Sequence, residues 1–159
     1  MMDSFKFFTD EYTEKIKKYP FIENHSFPWT PLEKSLNDSK VAIVSTAGVH
    51  PKSQKSFDVE SKKGDWSYRE ILKDLPTSEL MITHTHYDHS DADADINCVF
   101  PIDRLRELEN EKVIGRLAKI NYGFMGFIPN PTPLREKTAK EMAQKLKDAD
   151  IDIAFLTPG

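Results

Sequence analysis

The segment Val41-Ala-Ile-Val-Ser-Thr-Ala-Gly48 restricts the fold of this chain more than any other. Its apolar residues run on without alternation, so a strand built from them must be covered on both faces. Such strands lie inside sheets that carry helices on each side. Two further runs, Glu79-Leu-Met-Ile-Thr-His84 and Ile151-Asp-Ile-Ala-Phe-Leu-Thr157, read as strands as well. Helical patterns separate them. Pro101 opens one, with Ile102, Leu105 and Leu108 three apart, and Thr132-Pro133 opens another that reaches about Asp148 with Leu134, Met142, Ala143 and Leu146 inward. Strands alternating with helices predict an α/β fold: a mainly parallel, Rossmann-like sheet flanked by helices, in one domain over residues 1–159.

The intervening segments are less marked. Phe5, Phe8, Tyr12, Ile16 and Tyr19 form one helical stripe that Pro20 stops. Residues 23–32 read as extended, with Trp29 as an anchor between Pro28 and Pro31. Ser67 and Glu70 have capping-box spacing and predict a short helix. Ile114, Leu117 and Ile120 suggest a further helical turn or two, and Tyr122 to Phe127 a packed turn.

Composition narrows the function. A formal charge of −4 excludes a broadly cationic nucleic-acid binder. The single cysteine, Cys98, excludes an internal disulfide and a cysteine-based zinc cage. No apolar stretch has the length of a membrane span, and the first residues are polar and acidic, unlike a signal peptide. The cytoplasm is the expected location. The last strand leads into Thr157-Pro158-Gly159. Ligands of open α/β sheets sit beyond the carboxyl ends of strands, so an active-site loop is expected there.

His84-Thr-His86-Tyr-Asp88-His89 is the densest chemical cluster. Alternation puts His84 and His86 on one face with Asp88 two residues on, a plausible zinc site that includes His89. H-x-H-x-D-H is also the spacing of the metallo-β-lactamase superfamily, whose members hydrolyse esters, amides or thioesters with a metal-bound hydroxide. That reading lacks later ligands, because the five histidines are His25, His50, His84, His86 and His89. The alternative is a pair of polar residues at a strand end, hydrogen-bonded to backbone and nearby carboxylates. Asp91, Asp93 and Asp95 form an alternating acidic loop that suits a hard cation or a solvated turn.

Several ordered blocks carry a resemblance. They are Phe27-Pro-Trp-Thr-Pro-Leu32, Val41 to His50, Gly64-Asp-Trp-Ser-Tyr-Arg-Glu-Ile71, His84-Thr-His-Tyr-Asp88, Asp95-Ile-Asn-Cys-Val-Phe-Pro-Ile-Asp-Arg-Leu-Arg-Glu-Leu108, Ile114-Gly115, Asn121-Tyr-Gly-Phe-Met-Gly126 and Asp152-Ile-Ala-Phe-Leu-Thr-Pro-Gly159. Together they resemble the selenoprotein B component of the glycine, sarcosine, betaine and D-proline reductases, with the D-proline branch nearest. The resemblance implies reductive cleavage of an α C–N bond with electrons from dithiols, a partner subunit whose pyruvoyl group captures the substrate amine, and a selenolate or thiolate that attacks the α-carbon. In that family selenocysteine or cysteine directly follows the Leu-Thr-Pro-Gly strand end. The resemblance therefore implies that codon 160 is a UGA meant as selenocysteine, that residues 1–159 are the N-terminal part of a longer protein and lack its C-terminal strands, and that the chain alone is inactive.

On this reading His50, His84, His86, Asp88 and Thr157 line a pocket facing that nucleophile, where an imidazolium favours the anion. Arg69 and Arg104 are candidates for a substrate carboxylate, Arg104 also having Glu107 three residues on. Cys98, in an apolar setting, reads as inert packing rather than a substitute nucleophile. A third reading is a non-catalytic partner subunit, with an exposed sheet edge that invites homo-oligomers.

Overall fold

A computed structural model describes residues 8–18, 25 and 29–159. Phe5, Tyr19, Pro20 and Pro28, used in the N-terminal expectations, lie outside the described residues. The chain divides into a unit through Pro31 and a unit from Leu32 to Gly159. In the first, α1 (Asp10–Lys17) is capped by Thr9, whose hydroxyl accepts from the Tyr12 amide at 3.3 Å, and Phe8 packs on Tyr12 at 5.1 Å between ring centroids. Trp29, expected as an anchor, is exposed.

The second unit is built around β1 (Lys40–Ser45). β7 (Ile153–Thr157) pairs with it in parallel along one edge, from Val41 against Ile153 to Ser45 against Thr157. The other edge is shared. β5 (Arg116–Leu117) pairs with the start of β1 and β6 (Ile120–Phe124) with its end, both in parallel. β3 (Tyr68–Leu72) then closes antiparallel on β6. Val41 and Ile43 enter one core cluster with Phe100, Ile102, Leu105 and Leu117, whereas Val44 enters a second with Tyr122 and Met142. α3 (Ile102–Asn110) supplies the first cluster and α4 (Ala139–Asp148) the second. The expected burial of β1 on both faces is thus realised.

The architecture is α/β, but the sheet is mixed and not plainly Rossmann-like. The expected second strand does not join it. β4 (Leu80–Ile82) pairs antiparallel with β2 (Val49–Pro51) in a separate two-stranded sheet. Its pattern is alternating, with Leu80 and Ile82 buried and Met81 outward, which suits a strand covered on one face only. The helix expected at Ser67–Leu72 is β3. No capping box forms, because the Ser67 hydroxyl and amide both turn back to Asp65, and five pairs with β6 outweigh a local preference. The helical turns expected through Ile114 to Ile120, and part of the turn at Tyr122–Phe127, are β5 and β6 for the same reason. The last helix runs to Asp148 as expected, with its first turn, Leu134–Thr138, wound more widely.

Two residues, Ala118 and Lys119, separate β5 from β6, and Asn121 repairs the break. Its Oδ1 accepts from the Ile43 amide at 2.9 Å and its Nδ2 donates to the Ala118 carbonyl at 3.1 Å, all out of solvent. An apolar groove of about 270 Å³ lies between α4 and the sheet, lined by Val44, Phe124, Met142, Leu146, Ala154 and Leu156. Among the described residues β7 pairs with β1 alone, and Phe155 and Leu156 are exposed. No helix among them is long and apolar enough to cross a membrane.

Replacing Asn121 by alanine leaves a buried amide and a buried carbonyl without partners. The expected cost is about 2–4 kcal/mol of unfolding free energy, read from urea denaturation. An unchanged midpoint would show that the ladder does not need this bridge.

Candidate functional site at the carboxyl ends of β1 and β7

The parallel pairing brings Ser45 and Thr157 side by side at the strand ends. Their hydroxyls donate to one acceptor, the Val99 carbonyl, at 3.0 and 2.7 Å. The Thr46 amide donates to the Thr157 carbonyl at 3.0 Å, and the Gly159 amide to the Thr46 hydroxyl at 3.2 Å. Gly159 is thereby laid against Ala47 and the Tyr87 ring. A Cβ there would lie 2.4 Å from the Ala47 Cα and 3.1 Å from the Tyr87 Cε1.

Tyr87 connects this end to the histidines. Its hydroxyl donates to the Ala47 carbonyl at 3.0 Å, and burial first, then the Asp93 charge, pushes its pKa up to about 12. It therefore remains a phenol. Its ring meets that of His84 at 4.9 Å between centroids, edge-on. The His84 Nδ1 accepts from the His86 amide at 3.0 Å, which assigns the His84 proton to Nε2. Burial holds His84 below the usual histidine range, with smaller contributions in the same direction from His86 and His89. The His86 ring, 5.9 Å from that of His84, is exposed and stacks on Phe127 at 3.5 Å.

The other expected residues are placed as follows. Thr157 stands at the strand end with its hydroxyl bonded to Val99. His50 is fully buried. Its Nδ1 donates to the Pro51 carbonyl at 2.9 Å, its Nε2 accepts from the Thr83 hydroxyl at 2.8 Å, and burial lowers its pKa. Asp88 is exposed and accepts from the Ser90 amide at 3.1 Å, at the start of α2 (Ser90–Ala94); these bonds hold its carboxyl below the usual range. His89 pairs with Asp93 at 2.7 Å. Arg69 is spent on the carbonyls of Lys55, Ser56 and Tyr68 and lies over the Phe57 ring. Arg104 is exposed and pairs with Glu107 at 2.7 Å. Cys98, expected in an apolar setting, is exposed, because it ends a one-turn helix on the surface.

The donor set does not fit a metal. Among the described residues no three His, Cys, Asp or Glu side chains converge on a point where an ion would sit. The His84 Nδ1 is taken by a backbone amide, and His89 and Asp88 each turn to partners in or near α2. His84, His86, Asp88 and His89, expected as a zinc site, are not brought to one point in this arrangement. Sequence reasoning missed Tyr87, Phe127 and the Val99 carbonyl. Tyr87 stood inside the histidine motif, but its partner lies forty residues earlier, and only the fold joins them.

Comparison with known proteins defines the class. The family model described as glycine/sarcosine/betaine reductase selenoprotein B (GRDB) matches residues 7–159. The chain belongs to this family. It is 44% identical over 131 residues to the D-proline reductase subunit gamma of Acetoanaerobium sticklandii, a match covering 82% of this chain and 53% of that protein. It is 33% identical over 144 residues to the glycine reductase complex component B subunit gamma of Symbiobacterium thermophilum, covering 88% of this chain and 33% of that one. The betaine reductase complex component B subunit beta of Peptoclostridium acidaminophilum is 28% identical over 128 residues, covering 78% and 29%. The chain spans about half the length of the first relative and about a third of the others. No solved structure matches.

The lowered histidines give a pH dependence. The unfolded chain takes up protons on His50 and His84 as pH falls below about 6.5, while the folded chain resists. Their contribution is complete above that pH and is lost as pH falls through their folded values. Asp65, Asp88, Asp95 and Asp152 are lowered carboxylates and act only further down. The urea midpoint is expected to be lower at pH 5.5 than at pH 7.5, and the difference to shrink in His50→Gln. Equal midpoints in the unsubstituted chain would contradict the assignment.

Proposed function

We propose that this chain forms the framework of an amino-acid reductase B component, one that cleaves an α C–N bond reductively. D-proline is the favoured substrate, with glycine, sarcosine and betaine as the related class. The single observation that carries the reading is the convergence of Gly159, Tyr87, His84 and His86 at the ends of β1 and β7, in a chain whose family match runs through residue 159. The nucleophile, a selenocysteine or cysteine, is carried on residues that follow Gly159 in a full-length protein. The greater length of the relatives supports this. There the sheet continues beyond β7 into a more Rossmann-like layer.

A pyruvoyl group on a partner subunit supplies electrophilic capture of the substrate amine. The residues of this chain prepare the other side. Thr46 and Ala47 hold the backbone at Gly159, so the following residue starts from a fixed point. Tyr87 stays protonated and closes the floor of the site. His84 is neutral with a proton on Nε2, and His86 presents its ring beside it. The neutral N–H of His84 stabilises a soft anion by dipole without trapping it in a tight ion pair. The amine leaves with the bonding pair, and two electrons come from a dithiol that ends as a disulfide. That dependence on free dithiol suits the cytoplasm.

Two measurements test the reading. The gene beyond codon 159 is expected to continue in frame with UGA or a cysteine codon, followed within a few residues by cysteine. A second stop or an unrelated frame overturns it. The isolated 159-residue chain is expected to give no reductase turnover with dithiothreitol and the partner subunit, and the longer selenocysteine or cysteine form to restore it.

A further inference from the structure

His86 is exposed, yet it is fixed on three sides. Its amide is bound to the His84 Nδ1 at 3.0 Å, its Nδ1 faces the Thr85 hydroxyl at 3.2 Å, and its ring lies flat on Phe127, 3.5 Å between centroids and 9° from parallel. Ordering an exposed side chain costs conformational entropy, with little burial to offset it. The ring edge carrying Nε2 is what this arrangement leaves for a ligand. Phe127 is itself held from behind. Gly64 packs so closely on its backbone that a Cβ would lie 2.2 Å from the Phe127 carbonyl oxygen and 3.0 Å from the Ile128 Cα, and Gly64 has a φ of +75°. The loop bearing Gly64 is closed by its own bonds. The Asp58 amide donates to Asp65 at 3.0 Å, and the Ser61 amide to Asp58 at 3.1 Å.

We propose that His86 is the imidazole that meets the reacting ligand through Nε2, and that Phe127, braced by Gly64, is its positioning residue. The inference rests on the reading of the β1 and β7 ends as the reductase site. Neither Phe127 nor Gly64 reaches that site in the sequence pattern. Their part follows from one stacked pair and one close backbone approach.

Proton NMR of the 159-residue chain tests the positioning without reductase activity. The His86 ring protons are expected well upfield of their free-peptide positions, because they lie in the shielding cone of Phe127. Phe127→Leu should abolish that shift and speed carbethoxylation of His86 by diethyl pyrocarbonate several-fold, with the urea midpoint little changed. Phe127→Tyr should restore both, and Gly64→Ala should reproduce Phe127→Leu. Unshifted His86 protons in the unsubstituted chain, or a shift that survives Phe127→Leu, overturn the positioning role. In the full-length B component with its partner subunit, Phe127→Leu and His86→Ala should each lower kcat by on the order of 10- to 100-fold, and together by no more than either alone. Full kcat in His86→Ala overturns ligand contact by His86. Absence of turnover in the unsubstituted full-length protein overturns the reductase reading, while the spectra still decide the stack.

Discussion

The parallel pairing of β1 with β7, tied off at the Val99 carbonyl, is the interaction on which the rest of the structure depends. Five residue pairs bring Val41–Ser45 against Ile153–Thr157, from parts of the chain more than a hundred residues apart. A carbonyl oxygen has two lone pairs, and here both are used, one by Ser45 and one by Thr157. Each such bond contributes about 1 kcal/mol net. Their greater effect is geometric. Val99 follows the turn after α2 and precedes α3, so the helical layer is fastened to the sheet where the two strands stop. Without that fastening Gly159 and Tyr87 have no reason to share a position.

The electrostatic character of the site follows from how deeply each group is set. Burial dominates at His84, His50 and Tyr87, and in each case it favours the uncharged form. The acids nearby are held elsewhere: Asp88 by Ser90, Asp93 by His89. The strand ends therefore present neutral donors rather than fixed charge. An anion brought within about 4–6 Å of such an imidazole acts against burial and favours its protonated form.

The sequence was most informative where one physical signal acted alone. The unbroken apolar run at Val41 announced a strand covered on both faces, and Pro101 and Thr132-Pro133 announced the helices behind it. The family blocks pointed to the reductase class directly. Prediction failed where local and distant preferences disagreed. Ser67 and Glu70 have the spacing of a helix start, but β6 offers β3 five pairing partners, and no local rule registers that. The histidine motif differs in kind. H-x-H-x-D-H encodes spacing, whereas ligation needs direction. His84 Nδ1 points back to the His86 amide, and Asp88 and His89 point into α2. Phe127 was unreadable because stacking on His86 depends on a loop whose closure is set at Gly64.

Gly48 shows why the departure from a parallel sheet matters for chemistry. In an all-parallel arrangement the histidine strand would lie in the sheet, and its residues would alternate between the two faces. Instead β1 stops, and Gly48 turns the chain at φ +75° into β2. Its amide donates to the Phe124 carbonyl of β6 at 3.0 Å, while its carbonyl accepts from the Thr83 amide at 2.9 Å. One residue thus joins the main sheet to the small one. A Cβ at that position would stand 2.4 Å from the Thr83 oxygen and 3.1 Å from the His84 Cβ. Any side chain there drives the histidine segment away from the strand ends. The approach of His84 to Gly159 through Tyr87 is therefore set by a missing methyl group at the bend, and the mixed sheet is the form that allows it.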